Sequence, residues 1–180
     1  RAKGTDWRSI VDEQGSGYSG RTDWQTAAEL PQYVFDALVK PDKAVNPIAI
    51  VATVDADGTP RTAPFGSVRA PTRALLRLIS LRYHETFANL ARDGRVSVAV
   101  VAPPDISVSI VGRARVVKEA MDTSEHYAIV EIDMTEVKND MVRSGVIEGT
   151  IQFSIYPQDW PWFEAALGEL EGADWEPASA

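Results

Sequence analysis

Seven consecutive residues carry the densest chemistry in this chain of 180: Ser80-Leu81-Arg82-Tyr83-His84-Glu85-Thr86. They lie between the apolar strand ALLRLISL and a short amphipathic helix, ETFANLAR. A helix starts with N–H groups that its own turns leave unbonded, and with the positive end of its dipole. Polar and basic side chains gathered there suit an anion such as a phosphate. Arg82 brings a permanent charge and can bond two oxygens in one plane. His84 can bond the same anion or move a proton near neutral pH, and it is the one titratable candidate in the run for that work. Thr86 falls in the first helical turn, where its hydroxyl meets the anion or bonds the local backbone. The plain alternative is a solvated arginine beside a capping histidine.

Little else in the chain competes with this run. There is no cysteine, which excludes disulfides, thiolate metal sites and cysteine nucleophiles and suits a reducing cytoplasm. No His-x-x-x-His or paired-carboxylate arrangement points to a metal, and Asp133, Glu136 and Asp140 read as a solvated acidic face. No glycine-rich dinucleotide fingerprint is present. A net charge of −8 argues against nucleic acid and against an anionic membrane surface as partners. Any phosphate must therefore be met by a local basic cluster. No apolar run has the length of a membrane span, and no stretch reads as a signal peptide.

The elements that position the run follow from periodicity. Residues 1–29 are polar, with GSGYSG at their centre and Trp7 and Trp24 as isolated aromatics. They read as an irregular arm lying on the body or on a partner subunit, or as a loose tail. Residues 30–180 read as one domain. Pro31 opens a helix with Leu30, Val34, Phe35 and Leu38 on its apolar side, and Pro41 and Pro47 end it. Ile48–Val54 is a β-branched run suited to a strand buried on both faces. Asp55-Ala56-Asp57-Gly58 turns the chain, and Pro60–Val68 returns as a strand whose prolines suggest an edge or a bulge.

Ala74–Leu81 is a third strand. Glu85–Arg92 is a helix with Phe87, Leu90 and Ala91 facing inward, closed by Asp93-Gly94. Arg95–Val101 and Ile106–Val116 form a hairpin about Pro103-Pro104-Asp105. In the second of these strands Ile106, Val108, Ile110, Gly112, Ala114 and Val116 alternate with a face bearing Ser107, Ser109, Arg113 and Arg115. That face meets water or a second subunit. Residues 120–140 read as mostly helical, with MDTSEHYAIVEIDM ambiguous, and Ile147–Ile155 reads as a sixth strand. Asp159–Leu170 reads as a last helix carrying Trp160 and Trp162, which dock on the body or close a pocket. Six strands and a few helices at this length suggest a small barrel.

The order ATVDADGTPRTAPF, LLRLIS, ETFANLARDGRVSVAVV, VGRARVV resembles the pyridoxamine 5′-phosphate oxidase-like family, the FMN-binding split β-barrels. The resemblance implies a mainly β, six-stranded split barrel with a few peripheral helices. It implies a homodimer holding FMN at the subunit interface, with the phosphate bound from strand two, the end of strand three and the helix after it. Carried onto this sequence, the cofactor-binding positions are Arg61, Thr62 and Ala63, then Ser80, Arg82, His84 and Thr86, with Asn89 one turn on. Many members carry a basic residue where Glu85 and Thr86 stand here, so the basic role falls to Arg82 and His84. The chain ends Trp175-Glu176-Pro177-Ala178-Ser179-Ala180, without the family's Arg-Leu-x-Pro-like tail, so vitamin B6 oxidation is not implied. The resemblance implies an FMN-dependent oxidoreductase acting on a small organic substrate. The alternatives are a flavin carrier or sensor without turnover, or a relative that binds haem or the deazaflavin F420.

Overall fold

The computed structural model describes residues 23–39, 47–142 and 144–172. Eight strands and three helices follow in order: β1 (Thr26–Ala27), α1 (Gln32–Val39), β2 (Ala49–Val54), β3 (Pro60–Phe65), β4 (Arg69–Thr72), β5 (Leu75–Leu81), α2 (Glu85–Arg92), β6 (Arg95–Ala102), β7 (Ile106–Lys118), β8 (Tyr127–Asn139) and α3 (Trp160–Glu171). All strand pairs are antiparallel, in the order β3-β2-β6-β7-β8-β5-β4, with β1 paired to the far end of β8.

The connectivity forces this sheet to curl. Its two edge strands, β3 and β4, are consecutive in sequence and joined by Gly66, Ser67 and Val68 alone. That link reaches at most about 15 Å, whereas the edges of a flat seven-strand path stand about 29 Å apart. The sheet therefore wraps into a barrel that stays open between β3 and β4. Ser67 ties the link to β5: its hydroxyl oxygen accepts from the Ile79 N–H at 3.1 Å and lies 3.4 Å from the Ile79 carbonyl.

Inside the barrel pack Ala49 and Val51, Leu76 and Leu78, Val96, Val98 and Val100, Val108 and Ile110, and Val130 and Ile132. Val34 and Leu38 of α1 and Leu90 of α2 join the same core. A second cluster forms on the outer face, where α3 lays Ala166, Leu167 and Leu170 over Ile79, Met121 and Ile129. β5 and the first half of β8 are thus covered on both faces. Three glycines are demanded by the backbone, one of them Gly94 with φ +71° after α2. Gly58 takes φ +90° in the turn after β2, and Gly112 sits at a β7 bulge where a Cβ would collide with the Asp133 carbonyl of β8.

Four expectations need correction. There are eight strands, the added short ones being β1 and β4. The helix expected within 120–140 is strand β8. Its run Ala128–Ile132 is buried throughout, Glu131 included, because α3 shelters the outer face, which removes the period-2 signal. The strand expected at Ile147–Ile155 forms no ladder. It lies beside the β6–β7 hairpin through Ile147 N–H to the Pro104 carbonyl (2.9 Å) and Thr150 Oγ1 to the Val101 carbonyl (2.7 Å). In α2, Ala91 is exposed, while Thr86 and Asn89 are buried with Leu90. Most of the N-terminal arm, Pro41 and the last eight residues lie outside the described residues.

Candidate functional site

The run singled out in the sequence sits where β5 leaves the sheet. Its last ladder partner is Tyr127, opposite Leu81, and the Arg82 N–H extends the pairing to the His126 carbonyl at 2.9 Å. The chain then turns, with the His84 N–H on the Leu81 carbonyl at 3.0 Å, and α2 starts. His84 is the N-cap of α2, in an extended conformation. Its Nδ1 accepts the Thr86 N–H at 3.2 Å and stands 3.0 Å from Thr86 Oγ1. A backbone N–H can only donate, so in this arrangement Nδ1 holds a lone pair and the ring proton is on Nε2. His84 therefore removes one unbonded helix amide and offers one outward N–H in its place.

Ser80 and Arg82 differ sharply in exposure. Ser80 follows Leu76 and Leu78 on the inward side of β5, is 1% exposed, and its hydroxyl has no hydrogen-bond partner. Arg82 is half-buried, and its NH1 donates to the Glu125 carbonyl at 2.9 Å. Next to it Tyr83 is 75% exposed, with its hydroxyl 3.4 Å from His126 Nδ1 and its ring 5.7 Å from the imidazole. The chain has two histidines: His84 follows Arg82 and Tyr83 in sequence, and β5–β8 pairing brings His126 beside them.

The β3 half of the expected site reaches the same helix through a polar network. Arg61 Nε bonds Asp55 Oδ2 at 2.6 Å. Asn89 of α2 gives its Nδ2 to Asp55 Oδ1 (2.7 Å) and to Thr53 Oγ1 (3.2 Å). Arg92 holds Asn89 Oδ1 at 2.9 Å and also bonds the Val54 carbonyl. The bonds from Arg61 and Asn89 hold the Asp55 carboxyl below its usual range. Asp55 and, after it, the nearby Glu85 carboxylate raise the Arg61 guanidinium. Ala63 shares the inward face with Arg61, while Thr62 lies on the opposite face of β3, paired to Ala52. The expected residues are thus gathered as two linked groups: Arg61 with Asn89 through Asp55, and His84 with Thr86. Arg82 is tied to the β7–β8 connection.

Sequence reasoning missed Thr53, Asp55, Arg92 and His126. Asp55 was visible only as a turn residue, and His126 only as one member of an ambiguous stretch. Among the described residues no group of three or more His, Asp or Glu side chains is placed to hold a metal ion. Among the described residues no helix is long and apolar enough to cross a membrane.

Residues 37–152 match the family model of pyridoxamine 5′-phosphate oxidase, a span that includes every site residue above and covers well over half of the chain. The chain belongs to that family. A candidate pyridoxamine 5′-phosphate oxidase from Lactobacillus delbrueckii has a similar crystal structure, with a TM-score of 0.51 at 21% identity over 63% of this chain and 98% of its own. HupZ from Group A Streptococcus is also similar, with a TM-score of 0.49 at 21% identity over 65% of this chain and 97% of its own. At these identities the likeness is one of fold. No curated protein matches the chain.

Proposed function

We propose that the protein is a homodimeric, FMN-dependent oxidoreductase acting on a small organic substrate, with the cofactor phosphate held where β5 meets α2. The observation that carries this reading is the hydrogen-bonding capacity left uncommitted there. Arg61 uses Nε on Asp55, and Arg82 uses NH1 on Glu125. Both forks keep further N–H groups, and His84 keeps Nε2–H.

The donor set fits a phosphate dianion. The guanidiniums of Arg61, Arg82 and Arg92 outnumber the carboxylates of Asp55 and Glu85 around the helix start, and charge-assisted bonds to a phosphate are the strong ones. The Asp55–Asn89–Arg92 network holds Arg61 in place, so little side-chain freedom remains to be lost on binding. Thr86 orients His84 so that Nε2–H points outward. Ser80 and Ala63 complete the proposed set, and Thr62, on the opposite face of β3, stays outside it. Bound FMN would supply the hydride chemistry.

The test is titration of the purified protein with FMN and riboflavin, followed by flavin fluorescence, thermal stability and light scattering. FMN is expected to bind more tightly than riboflavin, to raise the unfolding temperature by mass action, and to do so in a dimer. No quenching and no stabilisation with FMN would end the cofactor assignment. The visible spectrum of the protein as purified separates a flavin from haem or F420. Tight FMN binding with no acceleration of electron transfer to any organic acceptor would favour a carrier or sensor.

A further inference from the structure

Glu169 lies on α3, beyond the residues matched by the family model, yet its carboxylate grips the connection between β7 and β8. Oε1 accepts the Asp122 N–H at 2.8 Å and lies 2.8 Å from Lys118 Nζ, and Oε2 accepts the Thr123 N–H at 2.9 Å. The far end of the same connection holds Arg82, through the Glu125 carbonyl to its NH1 and the His126 carbonyl to its N–H, each at 2.9 Å. Between the two ends the turn is closed by its own bonds. Ser124 N–H meets the Met121 carbonyl (3.3 Å), Tyr127 N–H meets Ser124 (3.2 Å), and Met121 N–H meets Tyr127 (2.9 Å). Met121 is buried beneath α3.

We infer that Glu169 is a positioning residue for the anion site. It fixes the 122–126 turn, and the turn fixes the Arg82 guanidinium. The inference rests on the reading in which Arg82 meets the phosphate. Its physical basis is preorganisation: a long arginine side chain loses rotamer freedom on binding unless it is already held, as the hydrogen-bond partners behind a metal's ligands hold those ligands. The competing view is that Glu169 only fastens α3. Glu171 supplies the comparison, because it fastens the same helix to Arg69 at 2.6 Å and touches no part of the turn.

The experiment compares Glu169→Ala with Glu171→Ala in the whole protein. Glu169→Ala should speed amide exchange at Arg82 by about tenfold or more, as local opening becomes easier. It should weaken FMN by about three- to tenfold, with riboflavin unchanged, the loss of a held charge-assisted contact. Glu171→Ala should do neither. Glu169→Gln, which keeps one carbonyl oxygen for one amide, should recover part of both effects, and it carries the exchange test if the alanine variant fails to fold. Unchanged Arg82 exchange, equal effects of the two alanine variants, or equal losses for FMN and riboflavin would overturn the inference. If the unaltered protein binds no FMN while Arg82 exchange still responds to Glu169, the cofactor reading falls and the coupling stands.

Discussion

The ion pairs beneath α3 and those around α2 draw on the same residue types and commit them differently. Beneath α3, ladder register places Arg69, Arg77, Glu131 and Arg115 in one row across β4, β5, β8 and β7. Arg77 Nε meets Glu131 Oε1 at 2.6 Å with both side chains buried, and Arg115 takes the other carboxylate oxygen. Arg115 Nε also stands 3.2 Å from Asp133, close enough for charge pairing though not aligned for a hydrogen bond. Glu171 closes the row at Arg69. Each cation there has its carboxylate, and a slip of one residue would break every pair, so the row specifies register. Around α2 the guanidiniums of Arg61 and Arg82 keep donors to spare, and Ser80 keeps a buried, unpaired hydroxyl. Charge density alone does not mark a site in this molecule; what sets the proposed site apart is the donors that Arg61 and Arg82 leave uncommitted beside one helix start.

The contrast breaks most visibly at Glu131. Glu131→Ala removes the buried carboxylate that Arg77 and Arg115 share and should cost about 3–5 kcal/mol of folding stability, the usual penalty for halving a buried pair. Urea unfolding would measure it. If the loss is under about 1 kcal/mol, the row is no better than a surface pair. What remains folded should bind FMN as before.

Arg82→Ala should show the opposite pattern. FMN binding should weaken by about 1.5–3 kcal/mol, the worth of a hydrogen bond to a charged group, with riboflavin affinity and folding stability nearly unchanged. Arg82→Lys should recover only part, since lysine cannot bond two oxygens in one plane. Equal losses for the two flavins would place Arg82 with the structural row.

The smallest effect is one of pH. Burial pushes the Glu169 carboxyl up, but the bonds from Lys118 and from the Asp122 and Thr123 amides outweigh it and hold the group at about 2, against 4.5 in its ordinary state. A lowered folded-state value stabilises the fold fully above the unfolded value, and that contribution is lost as pH falls from about 4.5 towards about 2. Acid unfolding followed through tryptophan fluorescence should therefore be shallower over that window in Glu169→Gln. An identical acid limb in both proteins would remove Glu169 from the set of groups that hold α3.

Elements governed by local rules were legible in the sequence. α2 runs over the expected Glu85–Arg92 because a capping residue, a helical period and Asp93-Gly94 all lie within ten residues of one another. The Asp55–Gly58 turn and the β6–β7 hairpin follow from local turn chemistry in the same way. β8 was not legible, because shelter from α3 exists only in the folded molecule. Nor was the parity that turns Ser80 inward and Thr62 to the opposite face of β3 from Arg61. The network joining Arg61, Asp55 and Asn89 depends on α2 packing against β2 and β3, and no spacing in the chain announces it.

The three-residue link between the two edge strands has a consequence for assembly. The β2–β3, β4–β5, β6–β7 and β7–β8 pairs each join neighbours in sequence and close short loops. The β5–β8 ladder joins residues such as Arg77 and Glu131, which are 54 positions apart, and its loop-closure entropy must be met before its contacts give any return. α2 and both strands of the β6–β7 hairpin lie within that loop. His126 meets Tyr83, and the Glu125 carbonyl meets Arg82, only once this long ladder has zipped to its end at Leu81 and Tyr127. The proposed anion site has no precursor in any local fragment of the chain; it comes into being with the barrel, once the long-range β2–β6 and β5–β8 ladders have closed.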